Sequence, residues 1–385
     1  MKKVLFIQLK GKSYGGVWQV NKIVGEELIK KGYTVSIVSL RENKNNISEE
    51  CDPRLKLHTI NKIDIWEETY TGTEILNDIK KFHLISSIRK IIIRTKHEFS
   101  IKKDTKKLHQ YIYNFNPDYI ITSHYQLIDM IPKELLNITI HEQHTSFKNS
   151  FEHKDTKRTF DKYNGQIKYL WLTKKTMEDA IKYGLKNNYY IYNAVRFKST
   201  KIADVISNKK LITIARFSKE KRIDLMIKIV EDVFKDKEFS DWTFEIYGSG
   251  PDEEKIKKLI HNHKQIKIMG ITYNPQLELL TSSINLNTSS FEGFCLSILE
   301  ANECGVPTIT FDFGESVYEE IINDKTGIIA SDIEEYKKKL KELMKNEEKL
   351  TALSKSAKVF SKEFHIENII NKWISLFEDI DSNEK

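Results

Sequence analysis

Two glutamates eight positions apart carry the strongest chemical signal in this chain. They are Glu292 and Glu300 in FEGFCLSILEANECGVP, which follows the short run INLNTSS. Glu292 falls in a loop, and Glu300 lies two turns into the helix predicted after it, so the carboxylates do not share one helix face. The amino end of that helix, from Gly293 through Phe294 and Cys295 to Leu296, presents unsatisfied backbone N–H groups and a positive dipole end, which suits a diphosphate. Gly293 lets the backbone approach a ligand closely. Glu292 is then placed to bond sugar hydroxyls and Glu300 to hold the vicinal diol of a ribose. Two surface glutamates on an ordinary helix are the plain alternative.

Cations stand where they would complete such a site. Arg216 and Lys221 in ITIARFSKEKRID flank the turn after a strand, one a planar fork and the other a point charge. Together they could stabilise the negative charge growing on a departing nucleoside diphosphate. Near the start, KGKSYGG holds Gly11, Lys12 and Ser13, but a Walker A loop needs a glycine five residues before its Gly-Lys pair, and this chain has none there. Gly15 and Gly16 instead make a flexible loop ahead of a helix, able to approach a ligand. In IYGSGPDEE, Tyr247, Gly248 and Gly250 are candidates to line a nucleotide. His141 and His144 in ITIHEQHTSFK end a predicted strand, where an imidazole can bond a sugar hydroxyl or help position an acceptor. Their spacing allows a metal, but no third ligand is evident, and Glu142 is expected to point elsewhere.

The elements that must hold these residues read as two α/β units in tandem. KVLFIQL, the glycine loop and WQVNKIVGEELIKKG make strand, loop and helix, and YTVSIVSL makes the next strand. PDYIITSHY, NITIHEQH, IKYLWLT and YYIYNAV read as further buried strands of the same unit. After the polar stretch RFKSTKIADVISNKK the pattern starts again with LITIARF and continues through WTFEIYGSG, IKIMG, INLNTSS, TITFDF and TGIIA. Such alternation implies two parallel sheets covered by helices. ENIINKWISLFEDI closes the chain with Ile369, Ile370, Trp373, Leu376 and Phe377 on one helical face.

Composition narrows the class. The length of 385 residues suggests two domains, and a formal charge of +7 admits an anionic partner without choosing one. Cys51, Cys295 and Cys304 have no metal spacing, and their odd number argues against a disulfide framework, so a reducing cytoplasm is expected. The start MKKVLFIQLK reads as a strand rather than a signal peptide, and no apolar run reaches the roughly 18 residues of a membrane span. The segment 80–107 is dense in lysine and arginine, with Phe82, Ile85, Ile88 and Ile92 on one helical face. Either that face packs on the domain, or it lies on an anionic membrane.

Taken together, these segments resemble the retaining GT-B glycosyltransferases of family four, also called glycosyl transferases group one. ITIARFSKEKRIDLMIKIV, FEIYGSGPDEEKI, IKIMGITYNPQLELLTSS, FEGFCLSILEANECGVPTITFD and INDKTGIIA are similar to that family's segments in order and spacing. Ala215 and Arg222 stand where the family has glycine, and FDFGESVYEEII lacks the proline of its aspartate–glycine–proline segment. That stretch is also similar to enzymes that glycosylate bacterial surface polymers, including glycerol-phosphate polymers.

The resemblance implies a GT-B fold. Residues 1–195 would form an acceptor-side Rossmann-like domain, residues 196–365 a nucleotide-sugar domain, and residues 366–385 a helix returning to the first domain and then a tail. It implies that Arg216, Lys221 and the amides after Gly293 hold the diphosphate, Glu300 the ribose, Glu292 the donor sugar, and backbone at Ile271 and Thr272 the base. His144 would face the sugar near the reacting carbon, with His141 as the alternative. The implied reaction is front-face, retaining transfer from a nucleotide-diphosphate sugar, a UDP-sugar above others, with no metal and no cofactor. The acceptor would be a glycan, a lipid-linked saccharide or a cell-surface glycopolymer. A non-catalytic GT-B subunit that binds acceptor or stabilises a partner transferase is the competing reading. An oxidoreductase is disfavoured, since no G-x-G-x-x-G follows the first strand.

Overall fold

The computed structural model describes residues 1–12, 15–42, 50–61, 84–260 and 263–383. Two parallel sheets organise them. In the first, β1 (Lys3–Lys10), β2 (Thr34–Arg41), β3 (Lys56–Asn61), β4 (Tyr119–Thr122), β5 (Thr139–Gln143), β6 (Lys168–Trp171) and β7 (Asn188–Tyr190) lie in the order β3-β2-β1-β4-β5-β6-β7. In the second, β8 (Lys210–Ile214), β9 (Thr243–Tyr247), β10 (Ile266–Gly270), β11 (Ile284–Leu286), β12 (Thr308–Phe311) and β13 (Gly327–Ala330) run β10-β9-β8-β11-β12-β13. Central strands such as β1 and β2 are apolar and buried on both faces, as parallel strands covered by helices must be.

Strand order positions the chemistry. In an open parallel sheet, the crevice for a ligand forms at the carboxyl ends of strands where the order reverses. The first sheet reverses between β1 and β4, and the chain leaves β1 toward Gly15 and Gly16. The second reverses between β8 and β11, where the chain runs from β8 into Arg216 and Lys221, and from β11 into Glu292 and Gly293.

The last helix, Ile366–Asn383, crosses back as expected. Ile369, Ile370, Trp373, Leu376, Phe377 and Ile380 join Val4, Phe6, Trp18 and Tyr119 in one apolar core. Phe377 stacks on Tyr119 with ring centroids 4.1 Å apart, and the Trp373 ring lies 6.3 Å from Phe6. At its end, Asp381 accepts from the Tyr119 hydroxyl at 2.8 Å and pairs with Lys2.

The basic segment forms part of a long helix, Leu84–Phe115. Phe82 lies outside the described residues, as does the Ile85 side chain. Ile88, Ile91, Ile92 and Phe99 are exposed, so the described part of this stripe is not buried on the domain. No helix among the described residues is long and apolar enough to cross a membrane.

Trp373 is 1% exposed within a core built from both ends of the chain. Trp373→Ala should lower the unfolding free energy by ~3–5 kcal/mol, read as an earlier denaturant midpoint.

Candidate active site

The loop after β8 is fastened from two sides. Ala215 N–H donates to Tyr247 at 3.0 Å and Phe217 N–H to Ser249 at 2.9 Å, which ties the Arg216 segment to the glycine loop after β9. A Cβ at Gly248 would sit 1.9 Å from the Ala215 carbonyl oxygen, and one at Gly250 would sit 2.3 Å from that of Phe217. These glycines therefore seat the Arg216 loop. Tyr247 belongs to the same scaffold: its side chain is buried, and its hydroxyl donates to Glu245 at 2.9 Å and to Glu278 at 2.6 Å. Arg216 itself is exposed and makes no hydrogen bond through its side chain among the described residues; its charge acts on Glu220.

Lys221 ends a single 3-10 turn, Lys219–Lys221, that is stitched to the loop after β11. Thr288 Oγ1 donates to the Lys221 carbonyl at 2.9 Å, and Ser290 N–H to that of Glu220 at 2.8 Å. The Lys221 ammonium forms an ion pair with Glu292, whose carboxylate also accepts from Ser289 Oγ at 2.6 Å. Burial works against the Lys221 charge, but its neighbours Glu292, Cys295 and Glu220 together outweigh that and raise its pKa. Next to it, Arg222 adopts φ 48°, the left-handed region where glycine is least strained. Its guanidinium donates to Thr288 O at 2.6 Å and Ser289 O at 3.2 Å and lies 5.2 Å from the Phe311 ring centre. Those contacts fix the turn in place of the expected glycine.

Two helix amino ends meet here. Among the described residues, no side chain caps the Gly16–Lys30 or the Leu296–Glu303 helix at its N-cap position, and neither has an acidic residue in its first turn. A Cβ on Gly16 would touch Leu296 at 3.5 Å. The Leu296 and Ser297 amides have no acceptor among the described residues, whereas the Cys295 amide already donates to Glu320 at 3.0 Å. The expectation of free amides after Gly293 is corrected at Cys295. Phe294 is buried against Tyr192, with ring centroids 5.4 Å apart. Ile271 is exposed and Thr272 half-buried just past the carboxyl end of β10.

Gly293 brings the first domain into the site. Its Cβ would lie 2.1 Å from the His144 carbonyl oxygen, so the glutamate loop rests directly on the backbone of His144. Glu142 Oε2 lies 3.2 Å from His144 Nε2. Glu142 therefore points toward His144, because residues two apart leave a strand on one side while His141 leaves on the other. The contact is a close approach of charge to ring rather than a hydrogen bond, since neither atom has a hydrogen-bond partner among the described residues. His141 is fully buried, with Thr122 Oγ1 at 3.1 Å, Gln143 Oε1 at 3.0 Å and the Phe160 ring against it. That removes His141 as the alternative to His144.

Sequence reading missed the partner of Glu300. Both carboxylate oxygens are held by the Arg196 fork, with Nη2 at 2.7 Å from Oε2. Arg196 is 104 positions away, and no local pattern links the two. Glu320, fully buried at the Cys295 amide, was also missed; burial holds its carboxyl well above the usual range.

Burial likewise drives His141 down to about 3 and His124 to about 4. Unfolded, each titrates near ~6.5. Below that pH the unfolded chain binds protons that the folded one refuses, so stability present at neutral pH is lost on acidification. Denaturant unfolding from about pH 7 to about pH 5 should show stability falling by up to ~1.4 kcal/mol per pH unit for each histidine, and His141→Gln should reduce that slope.

Comparison with known proteins places this geometry. A family described as Glycosyl transferases group 1 matches residues 197–360. An uncharacterized glycosyltransferase of Haemophilus influenzae is 25% identical over 97% of this chain and 99% of its own length. The poly(glycerol-phosphate) alpha-glucosyltransferase of Bacillus subtilis is 30% identical over 45% of this chain, which spans only 26% of that protein. Among solved structures, a mutant of S. aureus TarM in complex with fondaparinux, alpha-GlcNAc-glycerol and UDP superposes with a TM-score of 0.75 at 17% identity, covering 98% of this chain and all of that one. Residues 197–360 thus match a group 1 glycosyltransferase domain, and the whole chain has the two-sheet GT-B fold.

Proposed function

We propose that the chain is a retaining, metal-independent glycosyltransferase that moves a sugar from a UDP-sugar to an acceptor of the bacterial surface glycopolymer class. One observation carries the reading: a lysine–glutamate pair sits just before the Leu296–Glu303 helix, whose Leu296 and Ser297 amides have no acceptor among the described residues, at the switch point of the second sheet. A diphosphate entering there would draw Lys221 away from Glu292 and meet Arg216, Gly15, Gly16 and the Leu296 and Ser297 amides. These groups stabilise the charge that grows as the bond to the sugar breaks. Glu292, released, would accept from sugar hydroxyls. His144 would bond the sugar. Glu300 would bond the ribose while Arg196 holds it in place, and Ile271 and Thr272 would flank the base. The departing phosphate would take the acceptor's proton on the same face, which preserves the anomeric configuration. The poly(glycerol-phosphate) alpha-glucosyltransferase activity of the Bacillus relative and the UDP in the TarM complex support this donor and acceptor class.

A second part of the proposal concerns location. Ile88, Ile91, Ile92 and Phe99 are exposed on the Leu84–Phe115 helix, with Arg89, Lys102, Lys103 and Lys106 exposed beside them. Apolar side chains ringed by cations suit the surface of an anionic bilayer, each cation contributing ~1 kcal/mol near it. The enzyme would then work in the cytoplasm against the inner face of the membrane, where lipid-linked acceptors are found.

A panel of UDP-, GDP- and ADP-sugars should give thermal shift and slow hydrolysis with a UDP-sugar. Lys221→Ala should lower the rate at least about tenfold, ~1.4 kcal/mol of transition-state stabilisation. No binding of any nucleotide sugar would leave a non-catalytic subunit as the better reading. Replacing Lys102, Lys103 and Lys106 with serine should weaken sedimentation with phosphatidylglycerol vesicles; equal sedimentation would show that this helix face is simply solvated.

A further inference from the structure

Glu319 and Glu320 are neighbours on one turn of helix, Val317–Glu320, yet their carboxylates serve different domains. Glu319 reaches into the first domain and accepts the backbone N–H groups of Lys174 at 3.0 Å and Lys175 at 2.9 Å. These are the opening amides of the Lys174–Tyr183 helix, where a carboxylate is favoured by both the orphan donors and the helix dipole. The Tyr192 hydroxyl donates to the same carboxylate at 2.7 Å. Glu320 turns the other way. Its Oε1 accepts the Cys295 amide at 3.0 Å, and its carbonyl accepts from Asn302 Nδ2 at 3.2 Å.

Tyr192 joins the two sides. While its hydroxyl is on Glu319, its ring stacks on Phe294, one residue past Gly293. Phe294 shares an apolar cluster with Leu172, Val195, Leu299 and Phe364, drawn from both domains and the crossing between them. Parting the domains would strip the Lys174 and Lys175 amides of their acceptor and uncover that cluster. It would also pull on the turn that holds the Cys295 amide.

We propose that Glu319 and Glu320 are positioning residues that couple domain closure to the shape of the loop carrying Glu292 and Gly293. Glu319 senses the first domain, Glu320 holds the loop, and the rigid turn between them transmits one to the other. The functional meaning of this coupling rests on the donor role proposed above for that loop; the coupling itself does not.

Hydrogen exchange of the full ligand-free chain tests it. In Glu319→Ala, the Lys174 and Lys175 amides should exchange faster, and so should the Cys295 amide held by Glu320, by about tenfold, although Glu319 bonds nothing in that loop. Glu319→Gln, which keeps one acceptor oxygen, should restore much of the protection in both segments. Tyr192→Phe, which keeps the ring and removes the hydroxyl, should loosen both mildly and serves if the alanine variant does not fold. Exchange in β1 and β4 should stay unchanged. Faster exchange confined to Lys174 and Lys175, or no change in either segment, overturns the coupling. A parallel UDP titration separates the two readings: if the wild type does not bind UDP while the exchange remains coupled, the donor reading fails and the coupling stands.

Discussion

A lysine and a glutamate face each other just before the start of the Leu296–Glu303 helix, and most of the site is organised around that contact. Lys221 and Glu292 come from turns 71 residues apart, with side chains only 20% and 12% exposed. Charges withdrawn from water this far are costly unless paired. Removing either would leave the other uncompensated beside amides that also lack acceptors. In the function proposed here, the pair would be the resting state, and an anion binding the amides would take over the lysine.

That contact depends on backbones meeting at distances only glycine allows. Gly293 lies on the His144 carbonyl across the domains, and Gly248 and Gly250 lie on the Arg216 loop within the second. The returning helix fastens both ends of the chain to the first core, and Glu319 clasps the first domain from the second. Short polar contacts and the apolar cluster around Phe294 thus both bridge the two domains.

Much of this was legible because it is periodic or local. Every strand of both sheets except β3, whose residues are mostly exposed and carry no apolar pattern, follows from apolar spacing and turn chemistry, as do the returning helix with Trp373 and Phe377 and the glutamate loop. What escaped was set by distant contacts or by direction. Nothing near Glu300 announces Arg196, and nothing in FDFGESVYEEII announces that adjacent glutamates serve different domains. Tyr247 looked available to a nucleotide, yet its hydroxyl finds Glu245 and Glu278. Glu142 was misdirected by a neglect of strand alternation, which sets it beside His144 and sends His141 into the core. Arg222 shows how a substitution away from glycine survives, since its guanidinium secures a left-handed backbone that its Cβ strains.

The most direct measurement is a crystal structure of the chain with UDP. The account predicts the diphosphate within hydrogen-bond reach of the Leu296 and Ser297 amides, with the Arg216 guanidinium folded onto it and Lys221 turned from Glu292 to a phosphate oxygen. UDP seated elsewhere, with the Lys221–Glu292 pair still closed and Arg216 directed to bulk water, would contradict it.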